Sequence, residues 1–201
     1  LPSDANWSLY PVRGIRRKNI GELLLMSRLT GPEHYIGLTL KPATAVELRS
    51  YERWKELAQQ VASTTIFDAA HQQGISFADN LAASDYVVST SVAEGFGLTF
   101  LECWLHNRPL MGRDLPEITA DFIESGLDLS DLGQSLHVPL HWVGWQAYLE
   151  RVIELGKELN AAYGRDLPPD AREQLQQTVI DDRVDFASLP TSLQAQVIER
   201  V

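Results

Sequence analysis

STSVAEGFGLTFLE, residues 89–102, sets two glycines one residue apart between a β-prone run and an apolar, helix-prone run. Upstream, DYVVSTS (85–91) has the β-branched and aromatic content of a buried strand. Downstream, LTFLECWLHN (98–107) reads as a helix with Leu98, Leu101 and Leu105 on one face. Asn107 suits the left-handed position that follows a helix. A strand that enters a helix through Gly-Phe-Gly presents free backbone N–H groups and the positive end of a helix dipole at one spot. That arrangement suits a phosphate. Gly95 and Gly97 let the backbone come close to a ligand. Taken alone, a Gly-x-Gly turn is equally a tight connection. It is not a Walker A loop, because no Gly-Lys-Ser/Thr follows, and Phe100 stands where the dinucleotide fingerprint has its third glycine.

Outward from this segment, strand-like and helix-like runs alternate. WSLYPV (7–12), YIGLTLKP (35–42), TTIFDA (64–69) and PLMG (109–112) join 85–91 as strands. Residues 19–29, 45–62 and 77–84 join 98–107 as helices, with Val46, Tyr51, Trp54, Leu57 and Val61 spaced helically in the second of these. Such alternation predicts an α/β fold, a doubly wound parallel sheet of about 5–6 strands with helices on both faces. In such sheets ligands bind beyond the carboxyl ends of the strands, which is where residues 89–102 would lie. From about residue 143 the pattern turns helical, over 144–163, 170–180 and the segment after Pro190. The whole of 1–201 is therefore expected to form one Rossmann-like domain, with 143–201 as a helical tail. Trp142 and Trp145 are expected to anchor that tail.

Composition narrows the function classes. Seventeen basic residues against 27 acidic ones give a net charge of −10, unsuited to a nucleic-acid partner. No apolar run approaches the ~18–20 residues of a transmembrane helix. The single cysteine, Cys103, excludes an internal disulfide framework and a cysteine-based zinc site, and is expected to be a buried, reduced thiol in a cytoplasmic protein. His137 and His141 are four apart but flank Pro139 without an acidic partner, so no metal site is expected; His34, His71 and His106 are scattered. Against the acidic background, Arg13, Arg16, Arg17 and Lys18 form a basic island expected near the surface.

EGFGLTFLE resembles the signature of a large family of retaining glycosyltransferases with two Rossmann-like domains (the GT-B fold). These are the glycosyl transferases group 1 family, related to glycogen synthase. That signature places a Glu, seven residues and a second Glu around a Gly-Phe-Gly-Leu turn, and Glu94 and Glu102 match it. The family also carries an Arg and, five residues on, a Lys near the start of this half; Arg13 and Lys18 have that spacing. The resemblance covers roughly residues 7–125.

The resemblance implies a catalytic set of Arg13, Lys18 and Glu94. Arg13 and Lys18 would hold the donor diphosphate and neutralise charge on the departing nucleotide. Glu94 would contact sugar hydroxyls. Gly95, Gly97, Leu98 and Thr99 would form the phosphate turn, and Glu102 would bind the ribose. It further implies a nucleotide-diphosphate sugar as donor substrate with no cofactor or metal. An acceptor-binding N-terminal domain of the same enzyme would precede this half, so the chain, which lacks an initiator Met, is expected to be a portion of a longer protein. Two features depart from the family: Cys103 replaces the usual Ala after the second Glu, and RDLPEITADF (113–122) lacks the glycines that touch the donor sugar. The turn IFDAAHQQG lacks an early glycine, which leaves base and sugar open.

Spacing argues against a hydrolase. Eight residues of helix would separate Glu94 and Glu102 by up to ~12 Å, wider than the ~5–9.5 Å of glycosidase pairs. Two rival readings stand beside the transferase: a non-catalytic sugar-nucleotide-binding module, and a nucleotide-sugar epimerase, which would lack the paired Glu signature.

Overall fold

The computed structural model describes residues 1–71 and 75–201. The chain divides into two compact units, Leu1–Gln134 together with Val201, and Ser135–Arg200.

The first unit is an α/β sandwich. Its strands are β1 (Asn6–Arg13), β2 (His34–Leu40), β3 (Thr65–Ile66), β4 (Tyr86–Ser89), β5 (Leu110–Arg113) and β6 (Leu132–Gly133). Between them run α1 (Ile20–Leu29), α2 (Ala45–Gln60), α3 (Phe77–Ala83), α4 (Leu98–Leu105) and α5 (Pro116–Glu124). The strands form one sheet in the order β3-β2-β1-β4-β5-β6, and every pairing is parallel. This is the doubly wound α/β fold expected from the alternating pattern. Leu9, Leu81, Val87, Phe100, Cys103 and Leu110 pack together as a buried core on one side of the sheet. The turn IFDAAHQQG ends outside the described residues, since Gln72, Gln73 and Gly74 are not among them.

Local chemistry accounts for several boundaries. Thr44 caps α2 by accepting from the Glu47 N–H, and Ser76 and Asp79 form a reciprocal capping box on α3. The segment 113–122 is not only a loop: Pro116 starts α5 in its first turn, where a missing N–H costs nothing.

Two sequence expectations are corrected. Leu98, Leu101 and Leu105 do not form the buried side of α4; they are 61%, 39% and 84% exposed, and Thr99, Phe100 and Cys103 face inward instead. The helix is apolar nearly all round, so periodicity cannot choose its inner face. Asn107, by contrast, does take the left-handed conformation, at φ 53°.

The second correction concerns 143–201. Its helices α6 (Trp145–Ala162), α7 (Ala171–Gln177) and α8 (Thr191–Arg200) are present, but residues 135–200 also carry an antiparallel sheet. Strands β7 (His137–Pro139), β8 (Val179–Ile180) and β9 (Arg183–Asp185) pair in the order β7-β9-β8. The β8–β9 hairpin turns on Asp181 and Asp182, both at positive φ (49° and 56°), the geometry of a two-residue turn matched to strand twist. An Asp-Asp pair without glycine hides that turn in the sequence. Val184, Phe186, Val197 and Ile198 are wholly buried in this unit. Trp145 lies against Tyr148, and the Arg200 guanidinium lies over the Trp142 ring at 5.6 Å.

Candidate functional site

Strand order creates the site. From β1 the chain winds outward to β2 and β3, then returns to place β4 on the other flank of β1. The carboxyl ends of β1 and β4 therefore diverge into helices on opposite sides, which opens a crevice at the switch point. Arg13 ends β1, and a short 3₁₀ turn, Arg16–Lys18, leads through left-handed Asn19 into α1. Residues 90–97 leave β4 beside it and lead into α4. The two segments singled out in the sequence are neighbours here.

They are stitched together by the backbone. The Val92 N–H donates to the Arg17 carbonyl at 2.9 Å. The Thr90 hydroxyl lies 2.9 Å from the Lys18 carbonyl and 3.2 Å from that of Asn19. Gly14 has no space for a side chain, because a Cβ there would sit 2.6 Å from the Tyr51 ring.

At the centre is an ion cluster. The Lys18 ammonium donates to Glu94 Oε1, with side chains only 7% and 8% exposed. Arg17, 46% exposed, donates to Glu94 Oε2 at 2.7 Å and to the Ala93 carbonyl at 3.0 Å. The Ser91 hydroxyl donates to Glu94 Oε1 at 2.6 Å. Burial pulls the Lys18 ammonium below its ordinary range against the opposing attraction of Glu94. Burial alone would raise the Glu94 carboxyl, but hydrogen bonds from Lys18, Ser91 and Arg17 outweigh it and hold the group below its ordinary range. Glu94 is thus a carboxylate at neutral pH, and three donors from two loops converge on it.

The structure separates the predicted basic pair. Lys18 is buried, not a surface cation as expected, because the loop after β4 folds over it. Arg13 remains exposed, and its guanidinium donates to the Lys41 carbonyl at 2.7 Å.

The glycine turn completes the crevice. Gly97 caps α4 at φ 65°, and a Cβ there would meet Ile118 Cγ2 at 2.5 Å, so both backbone and space call for glycine. Gly95 is unconfined. The Phe100 N–H bonds back to the Gly97 carbonyl, while Leu98 and Thr99 occupy the first turn, where N–H groups have no intrahelical acceptor. Phe96 between the glycines is 87% exposed. Glu102 lies one turn further along α4, on a partly exposed position.

Three residues of the site and its surroundings lie outside the motif spacing. Arg17 belonged to the basic island but not to the family spacing. Ser91 carries no motif signal beyond its place at the end of a strand-like run. Arg113, at the carboxyl end of β5, is buried against Glu22 of α1, with Nε 3.2 Å from Oε1 and a terminal nitrogen 2.5 Å from Oε2. Its other terminal nitrogen donates to the Gln134 carbonyl at 2.8 Å, and the Asn19 amide donates to Glu22 Oε2 at 2.8 Å. This network ties the start of α1 to the sheet one strand beyond β4. Residues 91 positions apart form that pair, and no local signal joins them.

Burial pushes the Cys103 thiol up to about 11, consistent with an unreactive core thiol. Among the described residues, no group of three or more His, Cys, Asp or Glu side chains could hold a metal ion. His137 instead shares a hydrogen bond with Ser135. No described helix is long and apolar enough to cross a membrane.

Comparison with known proteins agrees with the resemblance carried by the sequence. No family model matches the chain. Over 115 residues, 57% of the chain, it is 36% identical to the mannosylglucosyl-3-phosphoglycerate synthase of Petrotoga mobilis, of which the match covers 22%. The chain thus spans about a fifth of that relative's length. Among solved structures, it is similar to the C-terminal domain of a glycosyl transferase group 1 family protein (LpcC) from Francisella tularensis. That match has 20% identity, a TM-score of 0.45, and covers 55% of this chain and 58% of the other. A TarM mutant of S. aureus, in complex with Fondaparinux, alpha-GlcNAc-glycerol and UDP, gives 19% identity and a TM-score of 0.43, over 61% and 24% of the two chains. The GtfA/B complex gives 18% identity and a TM-score of 0.43, over 99% and 36%. At the sequence level, more than half of this chain is similar to part of that synthase, and its fold is the doubly wound α/β sheet that the glycosyltransferase resemblance implies.

Proposed function

We propose that the chain is the donor-binding half of a retaining glycosyltransferase that moves a sugar from a nucleotide-diphosphate sugar to an acceptor. The observation that carries this reading is the meeting of residues 17–19 with residues 90–94 at the switch point between β1 and β4. The buried Lys18, the Arg17 guanidinium and the turn that leads into α4 are gathered at this switch point, and cations beside a helix N-terminus suit a diphosphate.

In this reading Lys18 and Arg13 take the diphosphate, and their charge favours departure of the nucleotide as the sugar–phosphate bond breaks. The N–H groups of Gly97, Leu98 and Thr99 receive the distal phosphate. Glu102 accepts hydrogen bonds from the ribose. Glu94 meets hydroxyls of the sugar, and as a carboxylate it also favours positive charge developing on the ring. The acceptor site belongs to an N-terminal domain of the same enzyme. The synthase of Petrotoga mobilis is named for a phosphorylated, glycosylated product, and an acceptor of that anionic class is the first to try here.

A thermal-shift panel of UDP, GDP and ADP, each free and as a sugar nucleotide, tests the reading, because a ligand that binds only the native state raises its melting temperature. At least one pair is expected to stabilise the chain at millimolar concentration, in EDTA as well as without it. No response from any of them would refute the assignment.

A further inference from the structure

Below the Lys18–Glu94 pair lies a buried row of hydroxyls for which diphosphate binding gives no role. Tyr10 of β1 is wholly buried, and its phenol oxygen lies 2.6 Å from Ser91 Oγ and 3.1 Å from the Lys18 carbonyl. Ser91, also wholly buried, places its Oγ 2.6 Å from Glu94 Oε1.

The direction of these bonds follows from counting protons. A carboxylate only accepts, so the one Ser91 proton goes to Glu94. The Ser91 oxygen then accepts from Tyr10, whose one proton points toward it. Thr90, at 2.9 Å, serves the Lys18 carbonyl in its place. Burial raises the Tyr10 phenol above its ordinary range, so it stays a donor at any working pH. The result is a directed chain, Tyr10 to Ser91 to Glu94, that starts inside the sheet and ends on the carboxylate in the crevice. Each bond in such a row strengthens the next by polarisation.

We propose that Tyr10 and Ser91 are positioning residues that fix the rotamer of Glu94 and favour its charged form, so that the carboxylate faces the ligand in one orientation. The consequence for a sugar donor rests on the role proposed for Glu94, whereas the consequence for the Glu94 carboxylate itself does not. Without Ser91 the carboxylate keeps, among the described residues, Lys18 and Arg17, both of which an incoming phosphate would attract. With it, Glu94 stays anchored to the protein while those cations turn to the ligand.

Two variants of the full chain test this, Ser91→Ala and Tyr10→Phe, with circular dichroism to establish that each is folded. The first readout is the titration of the Glu94 carboxyl carbon by NMR. Ser91→Ala is expected to move it to higher pH, Tyr10→Phe to move it less in the same direction, and the double variant no further than Ser91→Ala alone. The second readout is the ratio of sugar-nucleotide to nucleoside-diphosphate affinity, expected to fall about tenfold in Ser91→Ala, the scale of one hydrogen bond to a charged group. An unchanged Glu94 titration in folded Ser91→Ala would overturn the proposal. If the unmodified chain binds neither ligand, the transferase reading fails while the titration still decides the positioning role. Tyr10→Phe decides it in the same way if Ser91→Ala does not fold.

Discussion

Lys18 and Glu94, 76 residues apart in the sequence, form a nearly buried ion pair that joins the loop after β1 to the loop after β4. Taking two charges out of water is costly unless further hydrogen bonds compensate, and Glu94 obtains them from Ser91 and Arg17. The pair holds two loops at the switch point between β1 and β4. With Arg17 as a second cation on Glu94, the cluster carries one net positive charge.

Removing the negative partner should separate the two parts of a sugar nucleotide. Glu94→Gln frees Lys18 and Arg17 from a competing anion, so a nucleoside diphosphate is expected to bind at least as well as to the unmodified chain. The sugar nucleotide is expected to lose the contact with its hydroxyls and bind more weakly. Calorimetric titration with both ligands checks this. Equal losses for both would show that Glu94 does not serve the sugar.

Glu102→Gln is expected to behave differently. It sits on α4 beyond the phosphate turn, where the reading places the ribose. Both ligands carry that ribose, so both should weaken by similar factors. A loss confined to the sugar nucleotide would reverse the roles of the two glutamates.

The Glu94 carboxyl also sets a pH dependence. Its pKa is lower in the folded chain than the ordinary 4.5. Such a group stabilises the fold above its unfolded value and loses that contribution as pH falls through the folded value. Urea denaturation of the unmodified chain and Glu94→Gln should therefore differ by about 1–3 kcal/mol at neutral pH. The gap should close as pH drops below 4.5. A gap that is constant with pH would place the stabilisation elsewhere.

The Arg113–Glu22 pair makes a purely structural claim. Arg113→Ala takes the guanidinium from a carboxylate that is 5% exposed while the Asn19 amide stays on it, and breaking such a pair costs about 3–5 kcal/mol. Thermal denaturation measures the loss. A change under about 0.5 kcal/mol, ordinary for a surface position, would show that the network adds nothing to the fold.

Much of this was legible in the sequence because the relevant signals are local. Alternating runs gave β1, β2, β4 and the helices between them, and the Gly-Phe-Gly turn marked the entry to α4. The burial side of α4 was not legible, since Leu98, Leu101 and Leu105 compete with Phe100 and Cys103 for the core and tertiary packing decides. The hairpin at Asp181 and Asp182 lacked the glycine that usually signals such a turn. Within the site, motif spacing pointed to Lys18 and Glu94 separately. That they touch, and that Ser91, Tyr10 and Arg17 complete the cluster, depends on β4 returning to the flank of β1, which no short segment encodes.

The most direct test is calorimetric titration of the unmodified chain and of Lys18→Ala, in EDTA, with whichever of UDP, GDP and ADP gives the larger thermal shift. Lys18 is the one buried cation shared by the sequence motif and the observed cluster. The unmodified chain is expected to bind, and Lys18→Ala, still folded, to bind more weakly by about 1.5–3 kcal/mol, the scale of a charge-assisted hydrogen bond. Equal affinity in the two proteins would contradict diphosphate binding at the β1–β4 crevice.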